Sequence, residues 1–365
     1  MRDTAELKKY LQKNPWPEEY YGRPQLDYFY NYNLEMSPEQ LWPLISDTSE
    51  VNRLLGLQKI SLEEKNGKIF GKGRLAFSDH EWEEIPWEWE YSGEIKITRI
   101  YSKGIVEYVR VHYILSKIND NATRLTVYSG CIPRNAATYP VLKIGKKIFE
   151  NRFKTVTREL QSMHNSRIQF NASEGLEKYA ISNASDVYKT NEEKFNPIRD
   201  YLTDRGIEAS LIYRLLNYII DTADKNLYRI RPKVLSEILN VETEKLISVL
   251  LHSCNCGLLD LSWDILCPHC RWVREKHQHL RTIENNSTCE ICGIDFSAGR
   301  INIIEVTFSV NPEIRKVEKV QYCSAEPAEK PHILLQKNLR CGSTYTFKIP
   351  ELEKRLRFRT KGKKS

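Results

Sequence analysis

Four cysteines between Leu258 and Gly293, spaced Cys-x2-Cys-x18-Cys-x2-Cys, constrain this chain more than anything else in it. The pairs are Cys267-Pro268-His269-Cys270 and Cys289-Glu290-Ile291-Cys292. A two-residue gap lets both sulfurs of a tight turn face one cation, and two such turns complete a tetrahedral thiolate site. Gly293 suits a knuckle, where the chain often needs a positive φ. Cys267, Cys270, Cys289 and Cys292 are therefore the expected ligands of one zinc ion (Zn2+) per chain. Its role would be structural, because four thiolates leave no coordination position open to water.

A length of 365 residues predicts two or three domains. Hydrophobic content of 41% and charged content of 28% describe an ordinary globular composition. No apolar run approaches the roughly 20 residues of a membrane span, and the polar start at Met1-Arg-Asp-Thr is unlike a secretory signal. Nine cysteines, an odd number that includes a metal-like quartet, point to a reducing compartment and hence to the cytoplasm. The other five, Cys131, Cys254, Cys256, Cys323 and Cys341, share no spacing and read as core thiols. The net charge of +7 is concentrated at the C-terminus, where residues 351–365 hold seven Lys or Arg against two Glu. A solvated basic tail, 359–365, explains that balance without a basic folded body.

Along the chain, residues 1–25 form a helix-prone lead-in broken at Pro15-Trp16-Pro17. Leu26 to Leu34 reads as a strand, with Tyr28, Tyr30 and Tyr32 opposite Phe29. Ser37-Pro38-Glu39 opens a helix with a capping serine and a first-turn proline, and Asp47-Thr48-Ser49 caps a second that ends at Gly56. From Lys59 to Ile132 strand-like runs follow one another, divided by turn residues such as Asn66-Gly67 and Asn119-Asp120-Asn121. Ala137 to Met163 is helical, with Leu142, Ile148, Phe149, Phe153, Val156 and Leu160 as an apolar stripe. A strand, two short helices, many antiparallel strands and a long closing helix is the order of a helix-grip domain, predicted over 26–165. Such a layout leaves a cavity between sheet and helix, a ligand site by default. Trp87, Trp89, Val109, Val111, Tyr113, Phe149 and Phe153 are the candidate lining residues; Trp82 falls out of phase with Trp87 and Trp89 unless Pro86 breaks the register. The carboxylates Glu81, Glu83, Glu84, Glu88 and Glu90 read as the solvated face of a strand.

A polar connector, 166–200, leads to a winged-helix-like order of helices and a strand over 201–266. Between Gly206 and Cys256 six basic residues balance six acidic ones, and the helix in the recognition position carries Glu242 and Glu244 against Lys245. Affinity for duplex DNA comes from neutralising phosphates, so DNA is a disfavoured partner. The zinc knuckles occupy 267–293. Trp272 to Ile283 between them is helix-compatible, and its His277 and His279 are not needed as ligands. Ile304, Val306, Phe308 and Val310 alternate as a strand that begins a small β domain, 294–358, with further strand-like runs at His332–Leu335 and Tyr345–Ile349. The whole is an α+β multidomain chain.

Residues of about 26–165 resemble the START-like, polyketide-cyclase-type (SRPBCC) superfamily. The stretches Ser37-Pro-Glu-Gln-Leu-Trp-Pro-Leu-Ile-Ser-Asp-Thr48, Asn52-Arg-Leu-Leu-Gly56 and Trp82-Glu-Glu-Ile-Pro-Trp-Glu-Trp89 are similar to the version that precedes bacterial class III adenylate/guanylate cyclase domains. Residues of about 200–358 resemble the zinc-containing module that follows it, through Gly257-Leu-Leu-Asp-Leu-Ser-Trp-Asp-Ile-Leu-Cys-Pro-His-Cys270, Cys289-Glu-Ile-Cys292, Val306-Thr-Phe-Ser-Val-Asn-Pro-Glu-Ile-Arg315 and Lys330-Pro-His-Ile-Leu-Leu-Gln336. The resemblance implies a cyclase domain further on, and this chain departs from it: about 65 residues follow Ile301, and none after Asp295 is an aspartate that could hold a cyclase metal.

No Gly-x4-Gly-Lys loop, Gly-x-Ser-x-Gly elbow or zinc-protease His pair occurs. The expectation is a non-catalytic sensor that binds an apolar small molecule or lipid and relays its occupancy to a partner, such as a class III nucleotide cyclase acting in trans. The alternatives are a small-molecule enzyme of the cyclase/aromatase type and a protein-interaction scaffold with a filled core. A carboxylate or histidine pair buried on the cavity side would favour the enzyme.

Overall fold

The computed structural model describes residues 4–57, 60–65, 68–75, 78–172, 190–222, 224–268, 273–289, 294–297, 303–317, 327–330, 333–339, 341–347, 356 and 358. The chain divides into two compact units, one of residues 1–165 and 321–360, the other of 166–320 and 361–365.

The first unit is built on an antiparallel sheet. Its strands are β1 (Leu26–Leu34), β2 (Ile60–Lys65), β3 (Lys68–Leu75), β4 (Ser78–Glu90), β5 (Glu94–Lys103), β6 (Val106–Asn119) and β7 (Ala122–Pro133), in the order β1-β7-β6-β5-β4-β3-β2. Between β1 and β2 lie α2 (Pro38–Ile45) and α3 (Thr48–Leu54). The sequence signals at their starts work as expected. Ser37 and Gln40 form a reciprocal capping box with Pro38 in the first turn, and Asp47 accepts from the Glu50 N–H at 3.0 Å. Gly56 takes φ +68° just past α3, and Arg152 donates to the Leu55 carbonyl at 2.7 Å, satisfying an end the helix leaves open.

The closing helix α4 (Thr138–Ala172) runs longer than its apolar stripe predicts. Phe153, Val156 and Leu160 are wholly buried against Trp87, Trp89, Ile95, Tyr113, Leu125 and Val127 of the sheet. Ile148, placed by periodicity in that stripe, is 53% exposed instead. An antiparallel sheet with a long helix on one face, and two short helices inserted after the first strand, is the helix-grip arrangement.

The opposite face of the sheet is covered by the lead-in. Helix α1 (Thr4–Lys13) places Tyr10 against Phe29, His112 and Tyr128, and Trp16 and Tyr20 pack on Tyr108 and Ile132. The Arg110 guanidinium stacks over Trp16 at 3.9 Å and donates to the Asn14 and Pro15 carbonyls, which holds the proline-broken corner down.

The C-terminal stretch corrects an expectation. Of the predicted β domain 294–358, β12 (Ile304–Val310) belongs to the second unit, whereas β13 (Leu335–Gln336) pairs with Glu90 and Trp89 of β4 in the first. The reason is an open edge. β3 accompanies β4 only as far as Glu84, leaving the end of β4 without a neighbour on that side. The strap from Ile333 to Asn338 takes its place. Trp89 Nε1 donates to the Ile333 carbonyl, and the Gln336 and Asn338 amides donate to the carbonyls of Trp87 and Pro86. Tyr345 to Phe347, read as strand-like, is not a strand.

The second unit contains α5 (Phe195–Asp204), α6 (Ala209–Asp221), α7 (Asp224–Leu227), α8 (Pro232–Ile238) and α9 (Thr243–Asn255), followed by β8 (Leu259–Leu266), β9 (Val273–His277), β10 (Asn286–Cys289) and β11 (Ile294–Ser297). A three-stranded sheet has the order β12-β8-β9, β10 pairs with β11, and Ile230 bridges Phe308. Leu211, Leu215, Ile219, Leu246, Leu250 and Phe308 share its core. The helix read between the knuckles is a strand, because Val273–His277 pairs along β8 with Trp263 opposite His277. His277 is engaged by Thr282 and Glu275, which removes it as a metal ligand.

Candidate functional site

Cross-strand register sorts the α4-facing residues of the sheet, since partners in an antiparallel pair project to the same side. Glu84 pairs with Arg99, Arg99 with Val109, and Val109 with Cys131, while Trp82 pairs with Tyr101. Val109, Tyr101 and Cys131 pack with Tyr139 and Leu142 of α4. His80, Trp82, Glu84, Arg99 and Tyr101 therefore share the helix-facing side with Tyr28, Tyr30 and Tyr32.

Pro86 does break the register of β4. A shift between Ile85 and Glu88 brings Trp82, Trp87 and Trp89 to the same buried side, at 4%, 2% and 1% exposure. A glycine on β3 makes room for the first of them: a Cβ on Gly71 would lie 2.2 Å from the Trp82 ring.

The solvated-face reading fails at Glu84. Its carboxylate is buried and accepts from Trp82 Nε1 at 2.9 Å, Trp87 Nε1 at 2.8 Å and Arg99 Nε at 3.1 Å to each oxygen. The Arg99 guanidinium also lies over the Trp82 ring. A buried charge is tolerable when paired and hydrogen-bonded, and this one is both. Its acceptor capacity is taken up by these four bonds, so it is not poised as a general base.

Two polar atoms on this face differ. His80 is 3% exposed, with its ring edge-on to Tyr101, and its Nε2 is buried without a hydrogen-bond partner among the described residues. The Tyr32 hydroxyl is likewise buried without one, while its ring stacks on Phe153. Burial, with the nearby Arg134 guanidinium, pushes the His80 pKa below its ordinary value, so the imidazole is neutral. Burial also holds the Tyr32 phenol protonated. A neutral imidazole nitrogen and a phenol can each donate or accept one hydrogen bond.

The seven expected lining residues all lie between sheet and helix. Trp87, Trp89, Tyr113 and Phe153 form one buried cluster, with Val111 and Phe149 packed against it. Val109 belongs to a neighbouring cluster around Leu26 and Tyr28. Sequence reasoning missed His80, Tyr32 and the Glu84–Arg99 pair, because strand alternation does not say which face of an amphipathic strand meets the helix. The one local signal was Gly71-Lys72-Gly73, two small residues on one side of a strand.

At the cysteine quartet, Cys267 directly follows β8 and Cys289 ends β10. Both are 0% exposed and share one small cluster edged by Ile294 and Phe296. Cys270 and Cys292 lie outside the described residues.

One protein family, described as a family of unknown function (DUF5939), matches residues 197–343. No curated protein matches the chain in sequence. Among solved structures, the Zhui aromatase/cyclase from Streptomyces sp. R1128 is similar at 11% identity and TM-score 0.33, over 41% of this chain and 99% of that one. A conserved protein from Geobacillus kaustophilus is similar at 18% identity and TM-score 0.29, over 38% and 96%. Norcoclaurine synthase from Thalictrum flavum, in complex with dopamine and hydroxybenzaldehyde, is similar at 8% identity and TM-score 0.29, over 38% and 88%.

Proposed function

We propose that the first unit binds a small, largely apolar molecule bearing a polar group between the sheet and α4, as a sensor rather than an enzyme. The observation that carries this is the Tyr32 hydroxyl, buried on the helix-facing side without a hydrogen-bond partner among the described residues while its ring stacks on Phe153 of α4. Leaving such a group unpaired costs about 1–3 kcal/mol, which a ligand with one donor or acceptor in reach would recover. Apolar contact would come from Trp87, Trp89, Val109, Val111, Tyr113, Phe149 and Phe153. Catalysis is disfavoured because Glu84, the buried carboxylate on this face, is spent on Trp82, Trp87 and Arg99. Native mass spectrometry of the full chain purified from its host tests the reading. The expected result is an added mass of lipid or metabolite size that is reduced or lost in Tyr32→Phe. A clean ligand-free mass for the unaltered protein overturns it.

The second unit is read as a winged-helix-like module whose wing carries zinc. Helix α6, the Ile230–Phe308 bridge, α8, α9, β8 and β12 follow the winged-helix order, and the cysteine quartet falls between the last two strands. Burial of Cys267 and Cys289 in one cluster fits a shared thiolate site, to which Cys270 and Cys292 would add the remaining ligands. Zinc bound there would staple the wing and supply no chemistry. The module's role in this reading is to pass ligand occupancy to a protein partner, a class III nucleotide cyclase acting in trans, and DNA remains disfavoured on charge.

A further inference from the structure

The first turns of α4 turn apolar side chains away from the protein. Val141, Ile144 and Ile148 are 56%, 70% and 53% exposed, and their i, i+3, i+7 spacing aligns them as one stripe along the helix. The core is served by other positions of the same turns, with Leu142 and Phe149 packed inward. A stripe of three aliphatic side chains on an outward helix face is not explained by folding, since scattered single exposures are the rule.

Charge identifies what covers it. From Asn135 to Phe149 the sequence has three lysines, at 143, 146 and 147, and no acidic residue. Lys143 and Lys147 are exposed, and at 100° per residue they fall beside the stripe, on the flank away from Val141. An apolar stripe edged by ammonium groups matches the boundary of an anionic bilayer, where the aliphatics enter the acyl region and the lysines meet lipid phosphates. A protein partner would need acidic residues around an apolar groove, and nothing in the chain selects one.

We propose that the N-terminal half of α4 docks this unit on anionic lipid membranes, lying in the interface rather than crossing it. The docking surface stands on α4 alone and does not depend on the ligand reading, which the mass measurement judges separately. No described helix is long and apolar enough to cross a membrane, so docking at the surface is the available mode.

The test is co-sedimentation of the full chain with vesicles of phosphatidylcholine alone, or with phosphatidylglycerol at about one lipid in three. The expected result is binding to the anionic vesicles only, weakened about tenfold or more in Ile144→Glu/Ile148→Glu and weakened in Lys143→Gln/Lys147→Gln. Both pairs are exposed, and an unchanged circular dichroism spectrum and melting temperature would confirm that the variants fold. Absence of vesicle binding by the unaltered chain overturns the proposal. So does equal binding by the isoleucine variant, which would assign the interaction to the basic C-terminal residues. A dimer in the unaltered chain that becomes monomeric in the isoleucine variant, without vesicles, would also overturn it by making the stripe a contact between copies.

Discussion

Glu84 shows how much one position decides. Its neighbours Glu81 and Glu83 lie on the other side of β4, where Lys68 pairs with Glu83 at 2.9 Å near solvent. Of these, Glu84 turns toward α4, where it is paired with Arg99, whose side chain is 17% exposed. Removing the carboxylate would leave a mostly buried guanidinium and two indole N–H groups without their acceptor. Glu84→Ala should therefore destabilise the first unit by about 3–5 kcal/mol, read as a lower urea midpoint with an unchanged slope. A change below about 1 kcal/mol would show that the pair is solvated in solution. No periodicity marks this residue among five similar glutamates.

Elements are joined by a polar network on the sheet face opposite α4. His112 of β6 accepts or donates at Nδ1 with the Tyr10 hydroxyl of α1 at 3.1 Å, and its Nε2 meets Glu94 of β5 at 2.8 Å. Lys337 of the strap donates to the other Glu94 oxygen. Burial pushes the Glu94 pKa up, but the His112 and Lys337 contacts outweigh it and hold the carboxyl well below its usual range. Burial lowers His112 below its ordinary value, only partly offset by Glu94. Both shifts have the same consequence. Below about pH 6.5 the unfolded chain protonates a histidine that the folded chain keeps neutral, and below about pH 4.5 it also protonates a carboxylate that the fold keeps charged. Stability of the first unit should thus be full near neutrality and fall as pH drops through these values. The slope contributed by each group is at most about 1.4 kcal/mol per pH unit. His112→Gln should flatten the pH 5–7 part of a plot of urea midpoint against pH, leaving the contribution of His80. An unchanged slope would mean that His112 takes up its proton at the same pH in the folded and the unfolded chain.

At the scale of the molecule, the two units have separate cores, and the proposed zinc serves only the second. Cys267→Ser should lower zinc from about one per chain, loosen residues of the second unit in hydrogen exchange, and leave the first unit's unfolding midpoint within about 0.5 kcal/mol of its original value. Metal analysis of freshly purified protein without zinc would end the metal reading. A variant in which both units unfold together would show instead that the two are thermodynamically coupled.

The sequence by itself determined the order and type of most elements. Caps at Ser37 and Asp47, alternation along the strands, the stripe of α4 and the spacing of the cysteines are all short-range signals, and each is written within a few residues. Only the tertiary structure decided which side of β4 is inside, because that depends on a bulge at Pro86 and on where the helix comes to lie. It also decided that the strap returns to the first unit, through contacts such as Lys337 to Glu94 across 243 residues of chain. Pairing at that distance is chosen by an open strand edge and a half-buried carboxylate that Lys337 reaches, and neither leaves a mark in local periodicity. The exposed side of α4 belongs with these. Ile148 fits an inward stripe in sequence, and only the packing of Phe149 and Phe153 turns it to the outside.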